Sequence, residues 1–193
     1  MNTLNGFKYE ADTDTVVVDG YLTEEKLLRL MVIWAGAENV IQQFPVVGTR
    51  MKYDAKVTIE GDKTFVVEFD GDSHFRDANV IYRDELKDKT MWSADIPVLR
   101  VPYFVQLDNE TFEHFFIMPF NHNIRTECKH GFTETTKMLP ASFCSLGMFR
   151  YKKIMTSLPE AARSAVLRSL EKRADVLPRP YVYGINFDCQ TID

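Results

Sequence analysis

The chain has 193 residues, 45% of them hydrophobic and 26% charged, which is enough to bury one globular core. The formal net charge of −5 argues against a protein whose whole surface grips nucleic acid, because phosphate binding depends on lysine and arginine. No apolar run reaches the roughly 18 residues of a membrane helix, and the first residues lack the basic and apolar parts of a signal peptide. We therefore expect a cytoplasmic protein that acts away from membranes.

Periodic apolar residues predict helices and strands along most of the chain. Thr23 precedes Glu24 and Glu25, and a capping hydroxyl followed by acids is typical of a helix start. Two β-favouring runs on either side of a Gly-containing turn predict a hairpin. A helix and a further strand follow it, which predicts a βαβ unit with parallel strands. The predicted elements are a β-like lead-in at 1–20 with its apolar part at 15–18, a helix at 23–37, hairpin strands at 51–59 and 64–70, a helix at 79–92, a strand at 98–101, helices at 111–116 and 159–174, and a strand at 181–183, with none assigned between 118 and 149.

The charge and the cysteines are distributed unevenly. Between Arg150 and Arg173 there are seven lysines and arginines but two glutamates, so this C-terminal segment is basic. The three cysteines, Cys128, Cys144 and Cys189, are odd in number and far apart. This predicts free thiols, as in a reducing compartment.

Two acids stand at the end of the second hairpin strand. Because side chains alternate along a strand, Glu68 and Asp70 share one face, while the apolar residues at 65, 67 and 69 take the other. Two neighbouring carboxylates repel each other and are costly to bury, and a divalent cation would remove that cost. Oxygen ligands suit a hard ion, so the pattern predicts Mg²⁺ or Mn²⁺.

Asp54, on the first hairpin strand, is the candidate for a third ligand, and its face depends on the register of the hairpin. A three-residue loop at 61–63 would pair residue 60 with residue 64 and place Asp54 opposite Asp70. A two-residue loop would turn Asp54 to the other face unless a bulge intervened. The metal hypothesis therefore predicts a three-residue loop or a bulge.

An ordered string of acidic, histidine and basic residues runs through the hairpin, the next helix and the next strand. The string is Asp54, then Glu68-x-Asp70-Gly71-x-x-His74, then Asp84-x-x-Lys87, then Val98-Leu99-Arg100. It resembles the PD-(D/E)XK nuclease superfamily, in the branch similar to very-short-patch-repair endonucleases, where Glu-x-Asp-Gly-x-x-His replaces the usual Glu-x-Lys. That branch commonly has arginine where Lys87 stands, and a helix-borne glutamate that Glu24 or Glu25 could match. The resemblance covers about residues 23–105.

The resemblance implies a restriction-endonuclease-like α/β fold, with a mixed central sheet flanked by helices. Residues 1–117 would form this nuclease-like core, and residues 118–193 an α-helical or irregular extension packed on it. The implied function is a metal-dependent endonuclease that hydrolyses phosphodiester bonds in DNA. Asp54, Glu68 and Asp70 would hold the Mg²⁺ or Mn²⁺ ion.

The resemblance also assigns roles to three residues around the metal. His74 would act as a general base or orient a water, since its neutral form is available near neutral pH. Lys87 or Arg100 would steady the scissile phosphate. The metal would activate a water and stabilise charge on the phosphate oxygens.

Structural alternatives stay open for the same residues. Glu68 and Asp70 could be two acids on a solvated edge strand. Arg100 could be a structural partner for an acid. The solvent-exposed face of a helix, with weak local charge pairs, could carry Asp84, Lys87 and Asp88.

Two other functions also stay open. One is a nuclease-like protein that has lost catalysis and serves as a binding or regulatory protein, which the acidic net charge favours. The other is a nuclease that acts on RNA or on nucleotides. For each of these functions we expect residues 118–193 to select the substrate, or to contact a second copy of the chain or another protein.

Overall fold

The computed structural model describes residues 6–59, 61, 63–126, 131–132 and 136–172. Its helices and strands in chain order are β1 (Phe7–Glu10), β2 (Thr15–Val18), α1 (Glu24–Ala35), β3 (Val40–Pro45), β4 (Lys52–Ile59), β5 (Lys63–Asp70), α2 (Ser73–Arg76), α3 (Ala78–Trp92), β6 (Val98–Pro102), α4 (Asn109–Phe116), β7 (Asn123–Arg125), α5 (Ser145–Ser157) and α6 (Glu160–Glu171). Within these ranges no helix combines the length and the apolar character needed to cross a membrane.

The strands form two sheets, a three-stranded one in the order β1-β2-β7 and a four-stranded one in the order β3-β4-β5-β6. In the larger sheet β3, β4 and β5 are antiparallel, while β5 and β6 are parallel and connected through α3. Parallel neighbours need such a crossover because a tight turn cannot join them. The predicted α/β fold with a mixed sheet and a parallel βαβ unit is therefore confirmed.

Helices cover both faces of the four-stranded sheet. The apolar stripe of α1, with Leu27 and Leu30, packs in the same cluster as Ala55 and Val67 of the sheet. On the opposite face α3 contributes Met91 to a smaller cluster of buried residues. A third cluster joins α5 and α6 to the segment that follows β6. The C-terminal helices thus pack against the same unit that contains the hairpin.

Most of the predicted elements are confirmed to within a few residues at each end. The Thr23 hydroxyl accepts a hydrogen bond from the Lys26 backbone N–H at 3.2 Å, as expected for the residue that caps α1. The prediction lacks β3, α2, β7 and α5. Cys144 is a free thiol, whereas Cys128, Cys189 and the predicted strand at 181–183 lie outside the described residues.

The register of the hairpin corrects one detail of the prediction. Ile59 pairs with Lys63, so three residues, 60–62, separate the strands, in place of the predicted loop at 61–63. The ladder ends where Ala55 pairs with Val67, so Asp54 does not lie opposite Asp70 as predicted. The predicted loop length is right, but the pairing is shifted by two positions.

The alternation of side chains along β4 breaks at Asp54. Ala55 belongs to the cluster on the α1 face, yet Tyr53, two positions away, packs with Val66 on the α3 face. On the neighbouring strand Gln43 has a φ of 51°, in the left-handed region. Irregular strand pairing often occurs next to functional sites, where it changes the direction of a side chain. Here the irregularity directs the Asp54 carboxylate at β5.

Candidate functional site

Ionisable side chains from six elements meet near the carboxyl end of β5. The parallel register places Glu68 beside Arg100 of β6. On α3 the spacing of three and four residues puts several charged residues on one face, towards the sheet. The members of this cluster are Asp54, Glu68, Asp70, His74, Asp84, Lys87, Asp88, Arg100 and Arg150.

Glu68 and Lys87 form a buried ion pair in the cluster. The Lys87 Nζ lies 2.5 Å from Glu68 Oε1, and each residue is less than a tenth exposed. The same ammonium group lies 4.7 Å from the centre of the Tyr53 ring, and the Tyr53 hydroxyl donates to the Lys87 carbonyl at 2.7 Å. Packing and hydrogen bonding therefore fix the position of the lysine, and with it that of the glutamate.

Asp70, His74 and Asp84 form the group best placed to share a cation. His74 Nδ1 lies 2.8 Å from Asp84 Oδ2 and 3.3 Å from Asp70 Oδ1. One ligand atom from each residue lies within 4.8 Å of the other two. The two aspartates are 1% and 2% exposed, so their charges are almost fully removed from solvent.

Two arginines compensate these aspartates. Arg100 Nη1 lies 2.8 Å from Asp70 Oδ1, and its Nη2 lies 2.7 Å from Asp88 Oδ1. Arg150, from α5, places its Nη1 2.7 Å from Asp84 Oδ2 and 3.6 Å from Asp70 Oδ2. Charge-assisted hydrogen bonds of this kind are among the stronger ones in proteins.

Asp54 lies at the edge of the cluster, next to β5. Its Oδ2 accepts a hydrogen bond from the Phe69 backbone N–H at 2.7 Å. Burial raises the pKa of Asp54, and the charge of Asp70 raises it further, although the hydrogen bond from Phe69 lowers it. The charge of Asp54 in turn adds to the burial that raises the pKa of Glu24, so a glutamate at the start of α1 faces the same region.

Burial and pairing shift the other pKa values in different directions. Burial raises the pKa of Glu68 to about 7, although Lys87 donates to it. Burial also opposes ionisation of Asp84, but the hydrogen bond from His74 and the charge of Arg100 outweigh it and lower the pKa of Asp84 to about 2. For His74 burial is outweighed by Asp84 and by the charge of Asp70, so its pKa is raised and its protonated form is favoured.

The structure decides between some of the alternative interpretations. Glu68 and Asp70 are buried on a central strand, so the solvated edge strand is wrong. The solvent-exposed helix face is wrong for Asp84 and Lys87, which are buried, while the Asp88 side chain is 41% exposed.

All six predicted site residues fall within the cluster. Three of its members, Asp84, Asp88 and Arg150, are not among the predicted site residues. Asp84 appeared in the sequence string, but nothing there showed that it is buried. Arg150 begins the basic C-terminal segment, and the sequence gives no sign that α5 returns to the hairpin.

The donor set fits a divalent metal ion. Two carboxylates and an imidazole within one small volume provide oxygen and nitrogen ligands that Mn²⁺ accepts, while Mg²⁺ prefers the oxygens. In the metal-free protein the raised pKa values of His74 and Glu68 favour bound protons in the cluster. With His74 neutral and all five carboxylates ionised, two negative charges remain uncompensated by Lys87, Arg100 and Arg150. One divalent ion would balance them. Asp54 and Glu68 lie in the cluster but outside the group of shared ligand atoms, so their predicted ligand roles remain a prediction.

Comparisons of the chain with protein-family models, with curated proteins and with solved structures find no match. The chemistry of the cluster is therefore the basis for assigning a function. Perturbed, buried ionisable groups of this density are typical of functional sites, because stability alone seldom favours them.

Proposed function

We propose that this chain is a divalent-metal-dependent endonuclease that hydrolyses phosphodiester bonds in DNA, on a restriction-endonuclease-like core. The observation that carries the proposal is the buried group of Asp70, His74 and Asp84 beside the Glu68–Lys87 pair. A mixed sheet, with its acids on the two central strands and a crossover helix behind them, supports the proposed core. DNA as the substrate rests on the resemblance of the sequence string.

Asp70 is the ligand common to both possible metal sites. The sequence string adds Asp54 and Glu68, whereas the distances favour His74 and Asp84 as its companions. When bound, Mg²⁺ or Mn²⁺ would supply an activated water and stabilise charge on the phosphate oxygens.

The residues around the metal ligands act as positioning groups in this proposal. Lys87 orients Glu68 by donating a hydrogen bond to it. Arg100 donates to Asp70 through Nη1 and to Asp88 through Nη2, so Asp88 keeps Arg100 in place beside Asp70. In the ligand set of the sequence string His74 lies beside the metal without binding it, and its raised pKa makes it a proton donor or hydrogen-bond donor unless the negative charge beside it is neutralised. A general-base role for His74 therefore depends on the charge state of its two aspartates.

A catalytically inactive binding or regulatory protein is the second candidate. The observation that favours it is that the carboxylates already have partners: Lys87 holds Glu68, and Arg100 and Arg150 hold the aspartates. A cluster satisfied in this way can persist without a metal, as a polar network that gives one defined packing.

Plasmid nicking with Mn²⁺ tests the proposal. We expect the native chain to nick supercoiled DNA, and Asp70→Asn and Glu68→Gln to lower the rate on the order of a hundredfold or more, the scale of losing one group that stabilises transition-state charge. Glu85→Gln is the matched control, because it removes an exposed acid from the same helix that carries Asp84. Its rate should equal that of the native chain.

Equal activity in all four proteins would show that the site is elsewhere. A folded native chain with no activity on DNA or RNA would favour the inactive binding protein. If unlabelled RNA competes for the activity better than duplex DNA does, the substrate class is wrong while the metal site stands.

A further inference from the structure

Arg150 brings a positive charge to the carboxylates that would hold a divalent cation. Its Nη1 lies 2.7 Å from Asp84 Oδ2 and 3.6 Å from Asp70 Oδ2. Both aspartates belong to the group whose ligand atoms lie within 4.8 Å of one another. Like charges repel strongly where water is excluded, so a guanidinium and a metal ion compete for these oxygens.

The two arginines of the cluster differ in how they are anchored. Arg100 has a second partner on its far side, since its Nε lies 3.2 Å and its Nη2 2.7 Å from Asp88 Oδ1. Among the described residues, the polar partners of the Arg150 guanidinium are all reached through Nη1, and they are Asp84, Asp70 and the His74 carbonyl. Arg150 can therefore leave the carboxylates by breaking fewer hydrogen bonds than Arg100 would have to break.

Arg150 is also more exposed than the two aspartates that it bridges. Its side chain is 18% exposed, whereas those of Asp70 and Asp84 are 2% and 3% exposed. A guanidinium that leaves the aspartates therefore has solvent within reach, while the aspartates stay buried. The planar guanidinium group can donate two parallel hydrogen bonds to a phosphate group, as it can to a carboxylate.

We propose that Arg150 is an exchangeable counter-ion of the metal centre. Its guanidinium holds Asp70 and Asp84 when no metal is bound, and it passes to a phosphate group of the substrate when a divalent cation takes those oxygens. This inference rests on the proposed metal-dependent function and adds a role for α5, which lies outside the sequence resemblance.

Calorimetric titration with Mn²⁺ measures the competition directly. Arg150→Gln removes the competing charge, so we expect it to bind Mn²⁺ more tightly than the native chain, on the order of tenfold, the scale seen when a partner of a metal ligand is changed. Lys153→Gln is the matched control, because it removes a charge from an exposed position one turn further along α5. Its affinity should equal that of the native chain.

A second measurement uses the unaltered protein and so does not depend on how the variant folds. A dicarbonyl reagent such as phenylglyoxal modifies accessible arginines, and mass spectrometry locates the sites. With Mn²⁺ present, modification of Arg150 should rise severalfold, because its guanidinium is released. Arg100 is the internal control, since Asp88 keeps it in place.

The outcomes separate the two proposals. If the native chain binds Mn²⁺ but Arg150→Gln binds it equally or more weakly, or if Mn²⁺ leaves the modification of Arg150 unchanged, the exchange is wrong and the metal-dependent nuclease stands. If neither protein binds Mn²⁺, the proposed function fails and the exchange fails with it. Binding to Arg150→Gln alone would support the exchange.

Discussion

The carboxylates of the cluster differ in how burial and pairing balance at each residue. Burial dominates at Glu68 and raises its pKa to about 7, while at Asp84 the hydrogen bond and the arginine charge overcome burial and lower the pKa to about 2. Strand alternation was enough to predict that Glu68 and Asp70 share a face. It could not show that Asp84 and Arg150 join them, because those residues come from helices whose position depends on tertiary packing.

The opposed pKa shifts predict how stability depends on pH. Folded Glu68 binds its proton more tightly than the unfolded chain, whose glutamate has an ordinary pKa of 4.5, so the free energy of unfolding falls as pH rises from 4.5 to about 7. His74, raised from 6.5, contributes stability below that pH and loses it above its raised pKa. Asp84 acts in the other sense, since its contribution is present above 3.8 and is lost as pH falls towards 2.

Stability should therefore be greatest near pH 4, between the ordinary pKa values of Asp84 and Glu68, and lower at pH 7.5 by on the order of 2–3 kcal/mol. Urea denaturation at intervals from pH 3 to pH 8 measures it. Glu68→Gln should remove most of the decline between pH 4.5 and 7 while keeping the loss below pH 4. A native chain that gains stability from pH 5 to pH 7 would contradict the shift assigned to Glu68.

Among the elements, periodicity predicted those whose apolar residues mark one face. The helices α1, α3 and α6 and the hairpin belong to this class. Strand β3 was missed because most of it is exposed, including Ile41, so it shows no alternation. Helix α5 was missed because Leu146 and Phe149 are exposed while Gly147 and Tyr151 are buried, so its apolar residues do not define one face.

The docking of α5 on α2 depends on Gly147. A Cβ atom at this position would overlap the backbone carbonyl of Phe75, which also accepts the Cys144 N–H at 3.1 Å. This close approach brings Arg150, one turn further along α5, to His74 and Asp84. A small residue that is poor for helix propensity therefore positions part of the site.

Gly147→Ala should destabilise the protein by about 1–3 kcal/mol, because overpacking against a fixed backbone outweighs the gain of about 1 kcal/mol in helix propensity. Urea denaturation measures the loss. Leu146→Ala is the matched control, since it changes a half-exposed neighbour on the same helix and should stay within about 0.5 kcal/mol of the native chain. A Gly147→Ala protein as stable as the native one would show that α5 is not held by this contact.

At the scale of the whole molecule, composition predicted a globular core, and the order of elements predicted a mixed sheet. The pairing of β2 with β7 could not be predicted, because it joins Thr15–Val18 to a strand of three residues far along the chain. The same limit applies to the site. Its strand residues follow from local patterns, whereas the residues from α3 and α5 require the assembled fold.

Metal binding should stabilise the folded molecule as a whole, since the ligands come together only when it is folded. At a Mn²⁺ concentration a hundred times the Kd the gain is about 2.7 kcal/mol, which for a chain of this length corresponds to a rise in Tm of roughly 5–10 °C. Thermal denaturation with and without Mn²⁺ measures it, each protein compared with its own metal-free state. Asp70→Asn should abolish the rise and Glu85→Gln should keep it. Loss of the rise in Glu68→Gln but not in Asp84→Asn identifies the ligand set of the sequence string. Loss in Asp84→Asn but not in Glu68→Gln identifies the set favoured by the distances. No rise in the native chain would favour a binding protein that works without metal.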